Sequence, residues 1–207
     1  MPERRAVSRV VALTGGVATG KSTVAEMLQR LGAHIVDADQ LAREAVAPGS
    51  DGLGAVVARF GPGMLTEEGT LDRRRMADLV FQHPHERAAL EAIVHPIVAR
   101  LSREAIRAAS DSGARLIVYD IPLLFETGRA GDFTTIILAY LRPELQLRRL
   151  MERSGLSQAE ARARIAAQMP IDDKCALATW VVDNSGTLEQ TRVQVFDLWQ
   201  KELHFGR

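Results

Sequence analysis

Hydrophobic positions along the chain form five short apolar runs separated by stretches with helical spacing. The first run is rich in β-branched residues and stops at Gly15 and Gly16, which is typical of a buried strand. The predicted strands are 9–14, 34–36, 115–119, 134–141 and 180–182. Because the strands alternate with helical stretches, the pattern predicts a parallel sheet with crossover helices on both of its faces.

The segment 40–110 shows no strand pattern at all. Its apolar residues recur at helical intervals over 53–60, 73–81 and 87–109, and the turn-rich sequence GPGMLTEEGT at 61–70 interrupts them. A strandless segment of this length between two strands of one sheet predicts a helical insertion beside the sheet.

Two further amphipathic stretches, 143–153 and 157–168, follow the fourth predicted strand, and Gly155 between them predicts a hinge. No repeat, low-complexity block or linker divides the chain.

The composition is that of an ordinary globular protein with balanced charge. Hydrophobic residues make up 46% and charged residues 25% of the chain, and 26 Lys and Arg match 26 Asp and Glu. This balance argues against a protein that coats nucleic acid. A single cysteine, Cys175, excludes an internal disulfide and a multi-cysteine zinc site. The lack of a signal-peptide core and of a membrane-length apolar run predicts a cytoplasmic protein without membrane contact.

The strongest chemical signal is GGVATGKS at 15–22, which matches G-x-x-x-x-G-K-[ST] between a predicted strand and a helix predicted over 21–31. Glycines let the N–H groups of such a loop turn toward phosphate oxygens, and the helix start adds partial positive charge. Lys21 would reach the β- and γ-phosphates, and the Ser22 hydroxyl would complete the coordination shell of Mg²⁺. The motif therefore predicts a site for a nucleoside triphosphate with magnesium.

A triphosphate site fits a kinase, a GTPase switch, or a mechanical or sensor ATPase. A GTPase reads guanine with N-K-x-D, and the chain contains no Asn-Lys pair. The loose pattern D-x-x-G occurs at 51–54 and 183–186, away from the positions that a switch requires. An ATPase of the third class needs long partner surfaces.

A pair of carboxylates at the end of the second predicted strand favours the kinase. Asp37 and Asp39 leave the sheet at the edge where ligands of open α/β sheets bind, and either could accept a proton from an attacking hydroxyl. Strand alternation would put both on one side and does not choose between them. In the alternative interpretation Asp39 is the N-cap of a helix over 40–47.

Seven segments together resemble the dephospho-CoA kinase family over about 10–188, in the family's order and at similar spacings. They read GGVATGKSTVA, HIVDADQLAR, LDRRRMADLVF, LEAIVHP, YDIPLLFE, QLRRLMERSGLS and VVDNSG. The resemblance implies an α/β P-loop kinase fold, with a five-stranded parallel sheet, a helical substrate-binding insertion and a lid. It implies ATP and Mg²⁺ as cofactors and transfer of the ATP γ-phosphate to the 3′-hydroxyl of the dephospho-CoA ribose, which completes coenzyme A.

The same resemblance implies a division of the chain. The nucleotide-binding core would comprise 1–39, 111–142 and 170–207, the substrate domain 40–110, and the lid 143–169. The partner would be a small molecule, dephospho-CoA, with no nucleic acid or membrane, and the protein a monomer or a weak homo-oligomer.

The family pattern implies roles for individual residues. Asp39 corresponds to the general base, and Arg73 and His95 would contact the substrate. Arg149 would act with Lys21 on the transferring group, as an arginine finger does. The implied nucleotide-binding residues are Gly15, Gly16, Val17, Ala18, Thr19, Gly20, Lys21, Ser22, Thr23, Arg153 and Asn184. Ser22 and Asp120 would hold magnesium, Asp120 through a bound water.

Several of these residues have simpler explanations. Before Pro96, His95 could be a core or capping histidine. The lid arginines Arg149 and Arg153 could belong to a solvated basic face together with Arg148, Arg162 and Arg164. Another small P-loop kinase acting on a nucleoside or similar alcohol, or an ATP-binding regulatory module, remains an alternative for the whole chain.

The chain departs from the family pattern at two positions. Thr179 stands where the family has Asp, which weakens any role assigned there. Ala18 replaces a usual glycine of the loop and should fit if its φ is negative.

Overall fold

The structure is a computed structural model that describes residues 8–203. The first seven and last four residues of the predicted nucleotide-binding core, 1–39, 111–142 and 170–207, lie outside the described residues. The N-terminal residues for which the sequence predicts no signal-peptide core include residues 1–7, which also lie outside the described residues.

Five strands within residues 8–203 form one parallel sheet. They are β1 (Arg9–Gly15), β2 (His34–Asp37), β3 (Leu116–Asp120), β4 (Ile136–Tyr140) and β5 (Trp180–Asp183). Their order is β2-β3-β1-β4-β5, with β1 in the centre. β1 pairs with β3 on one side and β4 on the other, so that Leu13 lies opposite both Asp120 and Ile137. The predicted parallel α/β sheet is confirmed, and no strand end differs from its predicted position by more than two residues.

In the three central strands, β1, β3 and β4, both faces of the sheet are buried, as a doubly covered parallel sheet requires. Val11 and Val118 belong to an apolar cluster that also contains Val24 of the helix after β1. Ala12 and Ile117, which alternate with them along the strands, are also fully buried. These near-continuous apolar strands explain why the sequence pattern identified them.

The described part of the chain contains nine α-helices, eight between strands and one after β5. They are α1 (Lys21–Arg30), α2 (Ala38–Glu44), α3 (Asp51–Phe60), α4 (Arg73–Gln82), α5 (Pro84–Asp111), α6 (Pro143–Ser154), α7 (Gln158–Ala166), α8 (Ile171–Leu177) and α9 (Leu188–Leu198). Short 3-10 turns occupy Pro62–Met64 and Arg129–Asp132, and a π-helical turn follows at Trp199–Leu203. None of the helices described between residues 8 and 203 is long and apolar enough to cross a membrane.

Helix ends follow local sequence signals. Ser157 and Glu160 form a capping box that starts α7. Gly155, at a φ of 64°, ends α6 in the left-handed conformation that glycine adopts without strain. The predicted break between the two amphipathic stretches is therefore present as the α6–α7 turn.

The chain divides into two compact units, a sheet unit (Met1–Val36 and Ala108–Arg207) and a helical unit (Asp37–Arg107). Val46, Val56 and Met76 form the buried centre of the helical unit. After Asp37, the helical unit contains no strand among its described residues. An isolated β-bridge between Leu65 and Leu71 closes its turn-rich stretch.

Candidate nucleotide-binding and catalytic site

The loop Gly15–Ser22 connects the central strand β1 to α1, so it lies at the carboxyl end of the sheet, where ligands of α/β proteins bind. Inside the loop, Thr19 is fully buried and bonds back to the Gly16 carbonyl through both its hydroxyl (2.9 Å) and its N–H (3.3 Å). These two bonds hold the loop in a tight turn without a ligand.

Glycines are required in this loop because neighbouring atoms occupy the space of a side chain. A Cβ at Gly15 would lie 2.6 Å from the Thr19 hydroxyl, and one at Gly20 would lie 1.9 Å from the Asn184 amide nitrogen. Gly20 also has a φ of 87°, which disfavours any other residue.

Ala18 contradicts the condition under which it was expected to fit. Its φ is 61°, which makes it the sole non-glycine residue with a positive φ among residues 8–203. A left-handed alanine places its Cβ against its own carbonyl, which costs about 1–2 kcal/mol. The P-loop therefore stores backbone strain at Ala18, a property often found at functional sites.

The start of α1 is well suited to an anion. Gly20 occupies the N-cap position without a capping side chain, and no acidic residue lies in the first turn. The N–H groups of such a first turn lack intrahelical partners, and together with the helix dipole they favour phosphate. Ser22 lies exposed in this turn, and Thr23 is half-buried beside it.

Lys21 and Asp120 form an ion pair at the end of the sheet. Asp120 ends β3 in register with Leu13 of the adjacent β1, so the pairing of the two strands places its carboxylate beside the loop. The Lys21 side chain is 18% exposed and that of Asp120 is 7% exposed. The sequence assigned the lysine to phosphate and the carboxylate to magnesium, and the structure brings the two together.

Among its described residues, the protein alone offers too few ligands for magnesium, and a bound nucleotide would have to supply more. No group of three or more His, Cys, Asp or Glu side chains within residues 8–203 is arranged to hold a metal ion. The Ser22 hydroxyl and the Asp120 carboxylate are hard oxygen donors of the kind that Mg²⁺ prefers, and phosphate oxygens and water ordinarily complete its shell.

Arg149 of α6 lies beside the loop. Its guanidinium donates to the Asn184 carbonyl at 3.1 Å, and its side chain is half-buried. Arg148 instead points to solvent and lies 3.9 Å from Glu152, and Arg153 is exposed. The solvated-face interpretation is therefore wrong for Arg149, whereas it does describe the exposed Arg148 and Arg153.

Asn184, which follows β5, is committed to contacts within the protein. Its side-chain amide donates to the Thr19 carbonyl at 2.9 Å and accepts from the Thr191 hydroxyl at 2.9 Å. The side chain is 6% exposed and is bonded at both its nitrogen and its oxygen, and its predicted role at the nucleotide stays a prediction. Its observed role is to fix the loop against α9.

Within the helical unit, Asp37 and Asp39 have different structural roles. β2 ends at Asp37 and α2 begins at Ala38, so strand alternation does not extend to Asp39. Asp37 is the N-cap, and its carboxylate accepts from the N–H groups of Asp39 (2.8 Å) and Gln40 (3.2 Å). The capping interpretation of Asp39 is therefore wrong. Its carboxylate is exposed and makes no hydrogen bond or ion pair within residues 37–107.

The two other predicted substrate residues are also exposed. Arg73 is the first residue of α4, whose N-cap is Asp72. His95 lies inside α5, which continues through Pro96, so His95 neither caps a helix nor belongs to the core. No hydrogen bond or ion pair joins Asp39, Arg73 and His95 to one another within residues 37–107, and their substrate roles stay predictions.

Two side chains of the sheet unit have raised pKa values. Burial and the hydrogen bond to Asp172 (2.9 Å) raise the pKa of Tyr140 to about 12. Burial, with a smaller effect of Asp172 and Asp183, raises the pKa of the Cys175 thiol. Cys175 is therefore not an activated nucleophile, because the thiolate is the reactive form.

Sequence reasoning missed two glutamines that contact the loop. Gln146 of α6 and Gln168, just after α7, both bond to the backbone of Val17. A polar residue on the buried side of α6 was the available signal for Gln146, which is 2% exposed. Gln168 lies in a turn and carried no such signal.

The fold and the loop define a class. A parallel sheet with a G-x-x-x-x-G-K-[ST] loop after its central strand, a lysine in that loop and an arginine from a following helix are the parts of a P-loop phosphotransferase.

Comparison with known proteins narrows this class. The model of the dephospho-CoA kinase family matches residues 9–190. A curated dephospho-CoA kinase from Geobacter metallireducens is 48% identical over 194 residues, which cover 94% of this chain and 96% of that protein. The chain belongs to the dephospho-CoA kinase family and is an ATP-dependent kinase of a small molecule.

Two solved structures match the chain over nearly its whole length. The crystal structure of TT1252 from Thermus thermophilus matches with a TM-score of 0.84 and 38% identity, covering 96% of this chain and 99% of that one. Dephospho-CoA kinase from Campylobacter jejuni matches with a TM-score of 0.71 and 26% identity, covering 94% and 97%. The resemblance seen in the sequence is confirmed.

Proposed function

We propose that this kinase transfers the γ-phosphoryl group of ATP to the 3′-hydroxyl of the dephospho-CoA ribose. A bond forms between the ribose oxygen and the γ-phosphorus, and the bond from that phosphorus to the β–γ bridging oxygen breaks, which releases ADP. The observation that carries the proposal is the loop of a dephospho-CoA kinase family member, held ready by its own hydrogen bonds, with Lys21 and Arg149 beside it.

Lys21 changes partner in this proposal. In the structure its ammonium is paired with Asp120, and a bound triphosphate would offer it more negative charge. The loop amides and Lys21 would hold the β- and γ-phosphates, while Arg149 leaves the Asn184 carbonyl to meet charge that develops on the transferring group. Such preorganised electrostatics outweigh proton abstraction, because a loose phosphoryl-transfer transition state asks little of a base.

Magnesium would be held by the Ser22 hydroxyl and by Asp120, which Lys21 releases when it turns to the phosphates. When bound, the ion neutralises charge on the β- and γ-phosphates. Arg153, on the same helix as Arg149, would add charge over the nucleotide and help to exclude water. The segment 143–169 would then act as the lid, and the nucleotide-binding core would comprise 1–39, 111–142 and 170–207.

Asp39 would accept the proton of the ribose hydroxyl. Its exposed carboxylate at the start of α2 is available because Asp37 performs the capping. Arg73 and His95, exposed in the helical unit (40–110 in the predicted division), would contact the acceptor. The protein would work in the cytoplasm, where ATP is supplied, as a monomer or a weak homo-oligomer.

An acceptor assay tests the reaction. ADP release is measured with dephospho-CoA, with a panel of nucleosides, and with no acceptor. We expect release that depends on dephospho-CoA. Faster release with a nucleoside would indicate the alternative kinase, and ATP binding without acceptor-dependent release would indicate a regulatory module.

The matched pair Asp39→Asn and Asp37→Asn tests the base. Asp39→Asn is expected to lower kcat about 10²–10⁴-fold with ATP binding unchanged. Asp37→Asn should keep kcat near that of the wild type, since asparagine is as good an N-cap as aspartate. Full turnover in Asp39→Asn, or an equal loss in both variants, would contradict the assignment of Asp39.

A further inference from the structure

Val17, in the phosphate-binding loop, is held at both of its backbone polar groups by glutamine side chains. Its N–H donates to Gln168 Oε1 at 2.8 Å, and its carbonyl accepts from Gln146 Nε2 at 2.8 Å. Gln146 is 2% exposed. Because the N–H and the carbonyl belong to the peptide groups on either side of Val17, neither peptide group can turn without breaking one of the two contacts.

The two glutamines come from opposite ends of one segment. Gln146 lies near the start of α6, and Gln168 lies just after α7. The arginine Arg149, which bonds to the Asn184 carbonyl, lies three residues after Gln146 on the same helix. One loop residue is therefore tied to both ends of the segment that carries the arginines.

The absence of a side chain at Gly16 leaves room for Gln146 to bond to the Val17 carbonyl. A Cβ on Gly16 would lie 2.6 Å from Gln146 Nε2. Because the φ of Gly16 is not in the left-handed range, backbone conformation alone does not demand glycine here. Space for Gln146 gives a physical reason for glycine at this position.

A second set of contacts fixes the backbone beside Gln168. The N–H of Met169 donates to Glu126 Oε1 at 3.0 Å, and the same oxygen lies 2.7 Å from Lys174 Nζ of α8. The Lys174 side chain is fully buried. Breaking such an ion pair would leave an uncompensated buried charge, so the anchor resists displacement.

We propose that Gln146 and Gln168 are positioning residues that couple the phosphate-binding loop to the arginine-bearing segment 143–169. The inference rests on the proposed function, in which the loop holds the triphosphate and Arg149 acts on the group transferred. With both bonds formed, the loop amides keep a fixed geometry and α6 keeps a fixed distance from them. Losing either bond lets the loop and the arginine drift apart.

The test uses Gln146→Leu, Gln168→Leu and the double variant, with Gln158→Leu as the control. Gln158 is an exposed glutamine at the start of α7. Each single variant is expected to weaken ADP binding about tenfold by calorimetry, the value of one to two hydrogen bonds. The kcat should fall up to about 10²-fold through misplacement, with the KM for dephospho-CoA unchanged. The double variant should lose less than the product of the single losses, since both bonds restrain one residue.

Amide hydrogen exchange measures the restraint on the loop directly, because the Val17 N–H is itself the donor to Gln168. Exchange at the Val17 N–H should accelerate in Gln168→Leu and stay slow in Gln158→Leu. Gln168→Glu keeps an acceptor oxygen and should keep Val17 protected, whatever its charge does to nucleotide affinity. Loss of protection in Gln168→Glu as well would overturn the proposal.

Two further results would overturn it. One is a lower melting temperature in Gln146→Leu and Gln168→Leu with unchanged ADP affinity and kcat, and the other is an equal effect of Gln158→Leu. If Gln146→Leu does not fold, Gln168→Leu, whose side chain is only half-buried, carries the test. ADP binding needs no acceptor, so it is measurable even if the wild type fails to phosphorylate dephospho-CoA, which would instead refute the proposed function.

Discussion

The sheet unit and the helical unit hold their predicted functional residues in different ways. In the sheet unit, Lys21, Arg149 and Asn184 are all bonded to other protein groups. In the helical unit, Asp39 and Arg73 are exposed, and no hydrogen bond or ion pair within residues 37–107 restrains their side chains. A nucleotide at the sheet unit therefore exchanges existing contacts for new ones, whereas an acceptor at the helical unit adds contacts to free side chains.

The difference has an energetic meaning. Exchanging partners costs little conformational entropy, because Lys21 and Arg149 are already ordered, and it makes the nucleotide site depend on the integrity of its network. Ordering a free side chain such as Arg73 costs entropy on binding but leaves the stability of the protein unaffected when that residue is changed. Substitutions should thus affect both stability and function in the sheet unit, and function alone in the helical unit.

Among substitutions at Lys21, Arg73, Asn184 and Ala18, which probe this contrast, Lys21→Met should have the largest effect. It removes a cation both from the phosphates and from the ion pair with the largely buried Asp120 carboxylate. Turnover should fall about 10²–10³-fold, comparable to the loss of one preorganised donor, with weaker ATP binding by calorimetry. Lys201→Met, at an exposed lysine 3.6 Å from Asp197, is the control. Wild-type turnover in Lys21→Met would contradict the assignment.

Arg73→Ala probes the free residues of the helical unit. The KM for dephospho-CoA should rise about 10–100-fold, the value of a charge-assisted hydrogen bond, with the melting temperature unchanged. Arg74→Ala, at the neighbouring exposed arginine of α4, is the matched control. If both variants behave alike, the assignment of Arg73 to the substrate is wrong.

Asn184→Ala probes the bonded network of the sheet unit. It leaves the Thr19 carbonyl and the Thr191 hydroxyl without their partner, so the free energy of unfolding should fall by about 1–3 kcal/mol in urea titrations. Asn184→Asp keeps only the acceptor for Thr191, so its free energy of unfolding should lie between those of the wild type and Asn184→Ala. A stability equal to that of the wild type in Asn184→Ala would remove the proposed contrast between the units.

The smallest effect is expected from Ala18→Gly. Relief of the left-handed alanine, offset by the greater freedom of glycine in the unfolded chain, should raise the free energy of unfolding by up to about 1 kcal/mol. Ala163→Gly, inside α7, should instead lower it by about 1 kcal/mol. Both are measured by urea denaturation. Equal destabilisation by the two changes would show that Ala18 is not strained.

Local sequence signals predicted much of this architecture. The apolar run before Gly15, the loop and the helical spacing from Lys21 are contiguous in sequence, so the P-loop could be placed without knowing the rest of the fold. The order β2-β3-β1-β4-β5 could not be deduced in this way, because strand neighbours are distant in sequence.

The unpredicted parts depend on single residues or on contacts between distant segments. The tasks of Asp37 and Asp39 could be separated only once the strand was seen to end at Asp37. The bonds from Gln146 and Gln168 to Val17 join residues that are 129 and 151 positions apart. The positive φ of Ala18 occurs within the tight turn between Gly16 and Thr19, which the residue type alone does not encode.

The crowding at Gly20 also limits how this protein can evolve. A substituted residue would meet two separate obstacles, the left-handed backbone and the amide of Asn184. Shortening Asn184 by mutation would remove only the second. A random library selected for growth should therefore retain glycine at position 20 even in lineages that have already lost the asparagine, because no single compensatory change reopens the position.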